Sequence, residues 1–284
     1  MAARRDLSSA GGYAVLVNLD RCVGCKACQV ACKDWNARRA IETYFSPTFT
    51  YPQDLASESW KVVFFYEDKT KKALLTPAGE VAFEQVDVAA LSFQCMHCVD
   101  PPCARACPMK AIKVTAEGAV VINRDECIGC GYCETACPYH VPRRGDGGKY
   151  YKCTFCVDRI QNGLPPSCVE VCPAGVFTFG RAKDILEQAE AAAAQGKTVY
   201  GLSADSYTGG ARWIYVSSDG KSFAIRAHFA ERGKPVLTQQ LREIINPLIT
   251  YGSAIGAVAL ALLAAATWRK KRTGEKASEK EKAG

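Results

Sequence analysis

Sixteen cysteines fall into four groups of four, and no cysteine lies outside these groups. In the most regular group the spacing is C-x2-C-x2-C-x3-C-P, and each C-x2-C pair holds two sulfurs close enough to share a metal centre. Group one is Cys22, Cys25, Cys28 and Cys32; group two is Cys95, Cys98, Cys103 and Cys107; group three is Cys127, Cys130, Cys133 and Cys137; group four is Cys153, Cys156, Cys168 and Cys172.

The spacing of group three is that of an iron–sulfur run in bacterial ferredoxins. In such a run three cysteines bind one [4Fe-4S] cube, while the fourth, followed by a proline that ends the turn, binds a second cube. Disulfide frameworks belong to short secreted chains. Zinc sites take their ligands as two pairs, rather than as triplets or near-triplets followed by Cys-Pro. The sixteen cysteines therefore predict four [4Fe-4S] clusters as cofactors.

The other three groups depart from this spacing in defined ways. Group one ends in Lys33 instead of a proline and continues into Asp34-Trp35-Asn36, which indicates a turn that runs on into a helix. Group two has a longer second gap that contains Pro101-Pro102. Group four has a long gap that contains Gly163-Leu164-Pro165-Pro166, so we expect a loop there.

The segments around the cysteines predict an α+β fold made of two ferredoxin-like two-cluster units. Residues 111–114 and 120–123 form a hairpin pattern between groups two and three, the layout of a two-cluster ferredoxin. A strand pattern at 176–179 follows group four in the same way. We therefore expect groups one and four to form a second unit, with residues 90–145 or so inserted in it.

Other segments show secondary-structure patterns but no chemical signature, and we expect them to cover the cluster core or to face a partner. A strand is predicted leading into group one, and a small sheet or hairpin in the long gap before group two. An alanine- and glutamate-rich stretch that ends at a glycine predicts a helix. The predicted strands are 13–18, 60–66, 81–88, 213–216 and 222–226, and the predicted helix is 181–195.

Residues 244–268 hold no charged residue, and their 25 positions exceed the ~20 that a transmembrane helix needs. We expect a membrane helix there, with Gly252 and Gly256 as a small-residue packing face. The basic residues 269–272 begin a charged tail, 269–284, which the positive-inside rule places in the cytoplasm. Residues 1–243 are then expected outside the inner membrane, on the periplasmic side.

Export of that domain needs an explanation, because the apolar residues 14–17 after Arg4-Arg5 are too short for a signal segment. We expect a partner subunit with a signal of its own to carry the folded chain. The net charge of +7 does not indicate nucleic-acid binding, because the tail holds a surplus of four positive charges and no basic face is evident elsewhere.

The pattern predicts electron transfer rather than catalysis by this chain. A cube bound by four cysteines has no open iron for a substrate, so its role is one-electron transfer. No nucleophile–base constellation or phosphate loop is evident in the sequence. Of the three histidines, His97, His140 and His228, we interpret His97 and His140, which lie in or beside cysteine groups, as packing or supporting groups rather than ligands. The cationic side chains near the cysteines are expected either to raise cluster potentials or to be solvated charges: Arg105, Arg143, Arg144, Lys149, Lys152 and Arg159.

The chain resembles the iron–sulfur (β) subunits of the molybdopterin oxidoreductase superfamily, and most of all those of membrane-anchored formate dehydrogenases of the formate dehydrogenase-N type. The likeness rests on residues 22–36, 127–133 and 151–159, and on the single C-terminal span with its charged tail. Gly209-Gly210 before a strand supports the same subfamily. Ala211-Arg212 and Ser217-Ser218 depart from its pattern, which indicates a different membrane partner as one alternative.

The resemblance implies a crossed ligation, as the ferredoxin spacing rule also does. Each cube takes three cysteines from one group and the fourth from another. The four implied sets are Cys22, Cys25, Cys28 with Cys172; Cys153, Cys156, Cys168 with Cys32; Cys95, Cys98, Cys103 with Cys137; and Cys127, Cys130, Cys133 with Cys107.

The resemblance also implies the partners. A molybdopterin-containing α subunit, with molybdenum or tungsten, would oxidise formate, and a membrane cytochrome b subunit would reduce quinone. This chain would be the non-catalytic electron-transfer subunit, in contact with membrane lipid through one helix. Two alternatives stay open: the equivalent subunit of a polysulfide, thiosulfate, tetrathionate or sulfoxide reductase, and a membrane polyferredoxin without a catalytic partner.

Overall fold

The computed structural model describes residues 7–234, apart from 8, 10, 43, 46, 47, 77, 78, 203–206 and 231. The chain divides into two units, Met1–Pro235 and Val236–Gly284. The predicted membrane helix 244–268 and tail 269–284 lie outside the described residues. Among the residues that are described, no helix combines the length and the apolar character that a membrane crossing requires.

The fold is a mixture of helices and strands, as predicted. Ten strands are present in the described part: β1 (Tyr13–Asn18), β2 (Lys61–Thr76), β3 (Gly79–Gln94), β4 (Ile112–Val114), β5 (Val120–Ile122), β6 (Arg143–Arg144), β7 (Tyr150–Tyr151), β8 (Phe177–Arg181), β9 (Thr198–Tyr200) and β10 (Trp213–Ser217). Seven α-helices accompany them: α1 (Ala27–Trp35), α2 (Pro102–Arg105), α3 (Tyr132–Ala136), α4 (Val157–Gln161), α5 (Ser167–Glu170), α6 (Ala182–Ala194) and α7 (Asp219–Phe229).

The sheet with the most strands in the described part has the strand order β8-β1-β10-β9. Its strand β1 lies shortly before group one in the chain. Strand β1 pairs with β8 antiparallel, Val15 opposite Phe179, and with β10 parallel, Val15 opposite Trp213. Because β1 is central and covered on both faces, its Ala14, Val15 and Val17 are buried. The strand predicted at 13–18 is confirmed. The sheet therefore brings the chain before group one beside the chain after group four.

The long gap between groups one and two forms a hairpin of two sixteen-residue strands, β2 and β3. The pairing runs from Lys61 opposite Gln94 to Thr76 opposite Gly79. The end nearest the cysteines is buried, whereas Phe83, Val86 and Val88 farther out are exposed. The hairpin expected at 60–66 and 81–88 is present but longer, because the pairing continues through the residues between these two segments.

Groups two and three are joined by the β4–β5 hairpin, with Ile112 opposite Ile122, which confirms the pattern at 111–114 and 120–123. Helix α6 confirms the helix predicted at 181–195, and Gly196 follows it with φ +79°. How far the inserted segment forms a unit of its own stays a prediction.

The strand predicted at 222–226 is wrong, because these residues belong to helix α7. Phe223 and Ile225 alternate with small or polar residues and so imitate a strand. The buried side chains Ser222, Ile225 and Phe229 are instead spaced three and four residues apart, which is one face of a helix.

Candidate metal centres

The structure places cysteines from different groups beside one another, and we name four such sets sites 1 to 4. Site 1 is Cys22, Cys25, Cys28 and Cys172; site 2 is Cys32, Cys153, Cys156 and Cys168; site 3 is Cys95, Cys98, Cys103 and Cys137; site 4 is Cys107, Cys127, Cys130 and Cys133.

Three of these sites are apolar cavities whose walls carry the four cysteines. The site 1 cavity also touches Val63, Val176 and Phe177. The site 3 cavity touches Met96, Val120 and Tyr139, and it also contacts Lys152. Five of the further residues that line the site 4 cavity are Met109, Ile112, Ile122, Ile128 and Tyr150. Each cavity thus offers four sulfurs in a largely apolar shell.

All four cysteines of site 2 are buried, as are the four of site 3. Burial raises the pKa of the Cys32 thiol well above its usual value, and the Cys153, Cys168 and Cys156 thiols raise it further. Cys32 of group one therefore lies close to the three group four cysteines of site 2. Ser167 of α5 also donates to the Ala31 carbonyl of α1 at 3.1 Å.

Left-handed residues position the cysteines at the start of the short helices. Helix α1 follows Lys26 (φ 60°), α3 follows Gly131 (φ 84°), and α4 follows Cys156 (φ 47°). A left-handed residue turns the chain sharply before a helix begins. The turn lets loop cysteines and helix cysteines of one group approach the same site.

A further turn, inside the cysteine loop of group three, requires glycine because another segment of the backbone lies close to it. Gly129, between the first two cysteines of group three, has φ +73°, and a Cβ there would lie 2.4 Å from the Gly148 carbonyl oxygen. The cysteine loop therefore packs directly against the backbone of another segment.

Sulfurs receive hydrogen bonds from the backbone in a repeated pattern. Val141 N–H donates to Cys137 Sγ (3.5 Å), and Val176 N–H donates to Cys172 Sγ (3.4 Å), each four residues beyond the cysteine of a Cys-Pro pair. Phe155 N–H donates to Cys153 Sγ at 3.4 Å. Such donors favour a charged thiolate and a reduced cluster.

The Asp34-Trp35-Asn36 continuation of group one contacts helix α4, which follows Cys156 of site 2. The Trp35 indole N–H donates to Asp158 Oδ2 (2.9 Å), and the Arg159 guanidinium lies 4.4 Å from the Trp35 ring centre. Asn36 Nδ2 donates to the Cys32 carbonyl at 2.8 Å. Arg159 in turn donates to the Pro165 carbonyl at 2.8 Å, which holds the loop that the long group four gap predicts.

His97 takes the packing place expected of it, and His228 is buried as well. His97 is fully buried, its Nδ1 accepts from Val120 N–H (2.9 Å), and its ring stacks on Phe155. His228 is buried among aromatic rings and bonds Tyr66 Oη through Nδ1 at 2.5 Å. His140 is exposed.

Of the cationic residues predicted near the cysteines, Lys152 and Arg159 are buried. Arg143 pairs with Asp54 (2.7 Å), and Arg105 pairs with Asp100. Sequence reasoning missed Lys61, which is buried beside site 2, because only the register of the β2–β3 hairpin places it there.

The donor sets fit iron–sulfur cubes, since sites 1, 3 and 4 each line one cavity with four cysteines. All sixteen thiols are free. Burial raises the pKa of Cys133 to about 12, so a thiolate there requires a cationic partner, which the iron of a cube supplies.

Comparisons with known proteins agree with this reading of the sites. Residues 86–182 match the 4Fe-4S dicluster domain family, and residues 13–34 match the 4Fe-4S binding domain family. Two formate dehydrogenase subunits of Escherichia coli (strain K12) are similar. The iron–sulfur subunit of the nitrate-inducible enzyme is 40% identical over 179 residues, 62% of this chain and 57% of the relative. The formate dehydrogenase-O iron–sulfur subunit is 36% identical over 209 residues, 72% of this chain and 66% of the relative.

The same organism supplies a relative of another kind. The B subunit of anaerobic dimethyl sulfoxide reductase is 36% identical over 169 residues, which cover 59% of this chain and 73% of that protein. This chain spans just over half of the length of the first formate dehydrogenase subunit it matches.

Proposed function

Because the chain belongs to the family of iron–sulfur subunits of molybdopterin oxidoreductases, we propose that it binds four [4Fe-4S] clusters and conducts electrons from a formate-oxidising subunit to a quinone-reducing one. The sixteen cysteines of sites 1 to 4 would hold the clusters. When bound, a cube of this kind supplies one-electron transfer. The chain itself contributes no catalytic residue in this proposal.

The observation that carries the proposal is that the four sites form a connected series. Sites 1 and 2 share helix α1, through Cys28 and Cys32. Site 3 meets site 2 at Lys152, which lines the site 3 cavity and donates to the Cys153 carbonyl at 3.1 Å. Sites 3 and 4 share the α3 segment, through Cys137 and Cys133. The order along the series is therefore 1, 2, 3, 4.

The two ends of this series are open to solvent. Of the sixteen cysteines only Cys25, in site 1, and Cys130, in site 4, are exposed. Large apolar side chains beside them are exposed as well, Val23 to 71% and Ile128 to 63%. Exposed apolar residues next to a cofactor site suit contact with another protein. We propose that partners dock at these ends, where electrons enter and leave.

The partners follow from the relatives. We propose a molybdopterin-containing catalytic subunit at one end and a membrane cytochrome b subunit at the other. A single helix at 244–268 would anchor the chain in the inner membrane, with the cluster domain on the periplasmic side. The apolar length of that segment and the basic residues after it support this placement.

A second candidate is the electron-transfer subunit of a sulfoxide reductase, in which electrons run the other way. The similarity to the B subunit of dimethyl sulfoxide reductase, over most of that protein's length, favours it. The formate alternative has the higher identity, and the Trp35–Asp158 contact gives its Asp34-Trp35-Asn36 motif a structural role at site 2.

An anaerobic reduction experiment tests the proposal. The complex would be purified through a tag on this chain, formate added, and cluster absorbance followed with parallel electron paramagnetic resonance (EPR). We expect prompt bleaching and several interacting cluster signals. If formate has no effect but dimethyl sulfoxide reoxidises pre-reduced clusters, the sulfoxide reductase function is the right one. Fewer than four clusters by iron and sulfide content would contradict the cofactor assignment.

A further inference from the structure

Lys61 is a buried lysine between sites 1 and 2. It is 1% exposed, and its Nζ donates to Gln94 Oε1 at 2.6 Å. Its ammonium also lies over the rings of Trp213 (4.5 Å) and Phe177 (4.8 Å), and Phe177 lines the site 1 cavity.

A hydrogen-bonded path connects Lys61 to site 1. The Gln94 amide that accepts from Lys61 donates through Nε2 to Tyr215 Oη (3.2 Å), which donates to the Ser92 carbonyl (2.8 Å). The Ser92 hydroxyl lies 3.4 Å from Cys28 Sγ. On the site 2 side, the Lys61 ammonium interacts with the Cys168 side chain.

Lys152 holds the corresponding place between sites 2 and 3. It is 4% exposed and lines the site 3 cavity. Its Nζ donates to the Cys153 carbonyl at 3.1 Å and to the Val120 carbonyl. The ammonium therefore touches the backbone of a site 2 cysteine and the wall of site 3 together.

Neither ammonium has a carboxylate partner within the part of the chain that the structure describes. Lys61 and Lys152 are absent from its ion pairs, although a buried, uncompensated charge costs several kcal/mol. Sulfur groups surround them instead: Lys61 interacts with Cys168, Cys28, Cys32 and Cys153, and Lys152 with Cys95, Cys103 and Cys153. The negative charge that compensates each lysine therefore resides on the cluster sites.

We propose that Lys61 and Lys152 are fixed positive charges that flank site 2 and raise the reduction potential of its cluster. This inference rests on the proposed cofactors. A cluster becomes more negative by one charge on reduction, and an adjacent buried cation stabilises that state more than the oxidised one. Site 2 has a lysine on each side, whereas sites 1 and 3 each have one. The pair thus stabilises an added electron on site 2, between two neighbouring clusters whose negative charge would otherwise repel it.

Neutral variants of the purified complex test this. We expect Lys61→Met and Lys152→Met each to lower the reduced-to-oxidised ratio of site 2 about tenfold at a fixed potential, about 59 mV for one electron. Lys61→Met should also affect site 1, and Lys152→Met should also affect site 3. The measurement is a dithionite titration followed by EPR, with site 4 as internal reference.

Matched controls separate charge from structure. Lys69→Met changes an exposed lysine on the same strand as Lys61, and Lys183→Met changes an exposed lysine of helix α6. Neither should shift any potential. The charge-conserving variants Lys61→Arg and Lys152→Arg should restore the wild-type values.

Iron and sulfide content distinguishes the possible failures. Four clusters with unshifted potentials in both Met variants would overturn the inference and leave the proposed function intact, whereas fewer than four clusters in the wild type would overturn the function. If a Met variant loses a cluster, the Gln variant replaces it, since Gln keeps a hydrogen bond without the charge. Loss of the cluster there too would show a structural role and overturn the inference.

Discussion

Cys28 and Cys32 lie four residues apart on helix α1 and yet belong to different sites, Cys28 to site 1 and Cys32 to site 2. The same division occurs between Cys168, of site 2, and Cys172, of site 1. Neighbours in sequence thus serve separate sites, and each site is completed from far away in the chain.

The crossing predicts which substitutions share an effect. Cys22→Ala and Cys172→Ala should alter the same EPR signal, because both residues line the site 1 cavity. Cys168→Ala should alter another signal, although it lies four residues from Cys172. A common signal for Cys168→Ala and Cys172→Ala would contradict the crossed arrangement.

The exposed end of the series predicts a separation of two activities. Cys130→Ala should remove or convert the site 4 cluster and so interrupt quinone reduction by the complex. Dye reduction at the catalytic subunit should survive. Parallel assays with quinone and with a dye would measure this, and unchanged quinone reduction would show that site 4 is not on the route.

Because Gly129 lies so close to the Gly148 carbonyl, we expect its replacement by alanine to destabilise the protein strongly. Gly129→Ala combines a left-handed conformation, about 1–2 kcal/mol, with a clash against the Gly148 carbonyl. We expect a loss of stability of about 3 kcal/mol and a depleted site 4 cluster. Gly147→Ala is the control: its φ is +64°, but a Cβ there meets nothing within 4 Å, so only the conformational cost applies. Equal effects of the two variants would argue against the clash.

The contacts of Arg159 predict how much this side chain contributes to the stability of the loop in the long group four gap. Arg159→Gln removes the hydrogen bond to Pro165, the pair with Glu170 and the contact with Trp35. We expect a loss of about 2 kcal/mol in the free energy of unfolding, measured by denaturant or heat under anaerobic conditions. Arg39→Gln changes an arginine that is 68% exposed and paired with Asp146, and it should have less than about 0.5 kcal/mol of effect.

His228 predicts a pH dependence of stability. Burial, with a smaller contribution from Arg232, lowers its pKa from the usual 6.5 to about 3. The unfolded chain therefore binds a proton below pH 6.5 that the folded chain does not bind until about pH 3. Stability should fall by about 1.4 kcal/mol per pH unit between these values. The difference in melting temperature between wild type and His228→Phe, measured from pH 7 to pH 5, isolates this contribution.

The quantity that tests this prediction is the slope of stability against pH, and not the absolute stability. His228→Phe keeps the ring packing against Phe93 and loses the bond to Tyr66, so it shifts stability by a constant amount and removes the slope. A slope that persists in His228→Phe would assign the titration to another group.

The grouping of the cysteines could be recognised in the sequence because their spacing is typical of iron–sulfur runs. Strand 13–18 and the hairpin between groups two and three were predictable because periodicity and turn residues act locally. Helix α7 was not, since Phe223 and Ile225 also fit a strand. Lys61 was not either, because its burial depends on pairing with Gln94, thirty-three residues away along a hairpin whose length the sequence did not show.

The crossed sites have a consequence for synthesis of the chain. Cys22, Cys25 and Cys28 leave the ribosome early, but Cys172, which completes their site, is made only after the other three groups. Strand β1 likewise cannot pair until its neighbours β8 and β10 have been synthesised. Binding of a cluster at site 1 should therefore be among the last steps of maturation. A truncated chain that lacks group four should have no complete site 1 and should be sensitive to proteolysis.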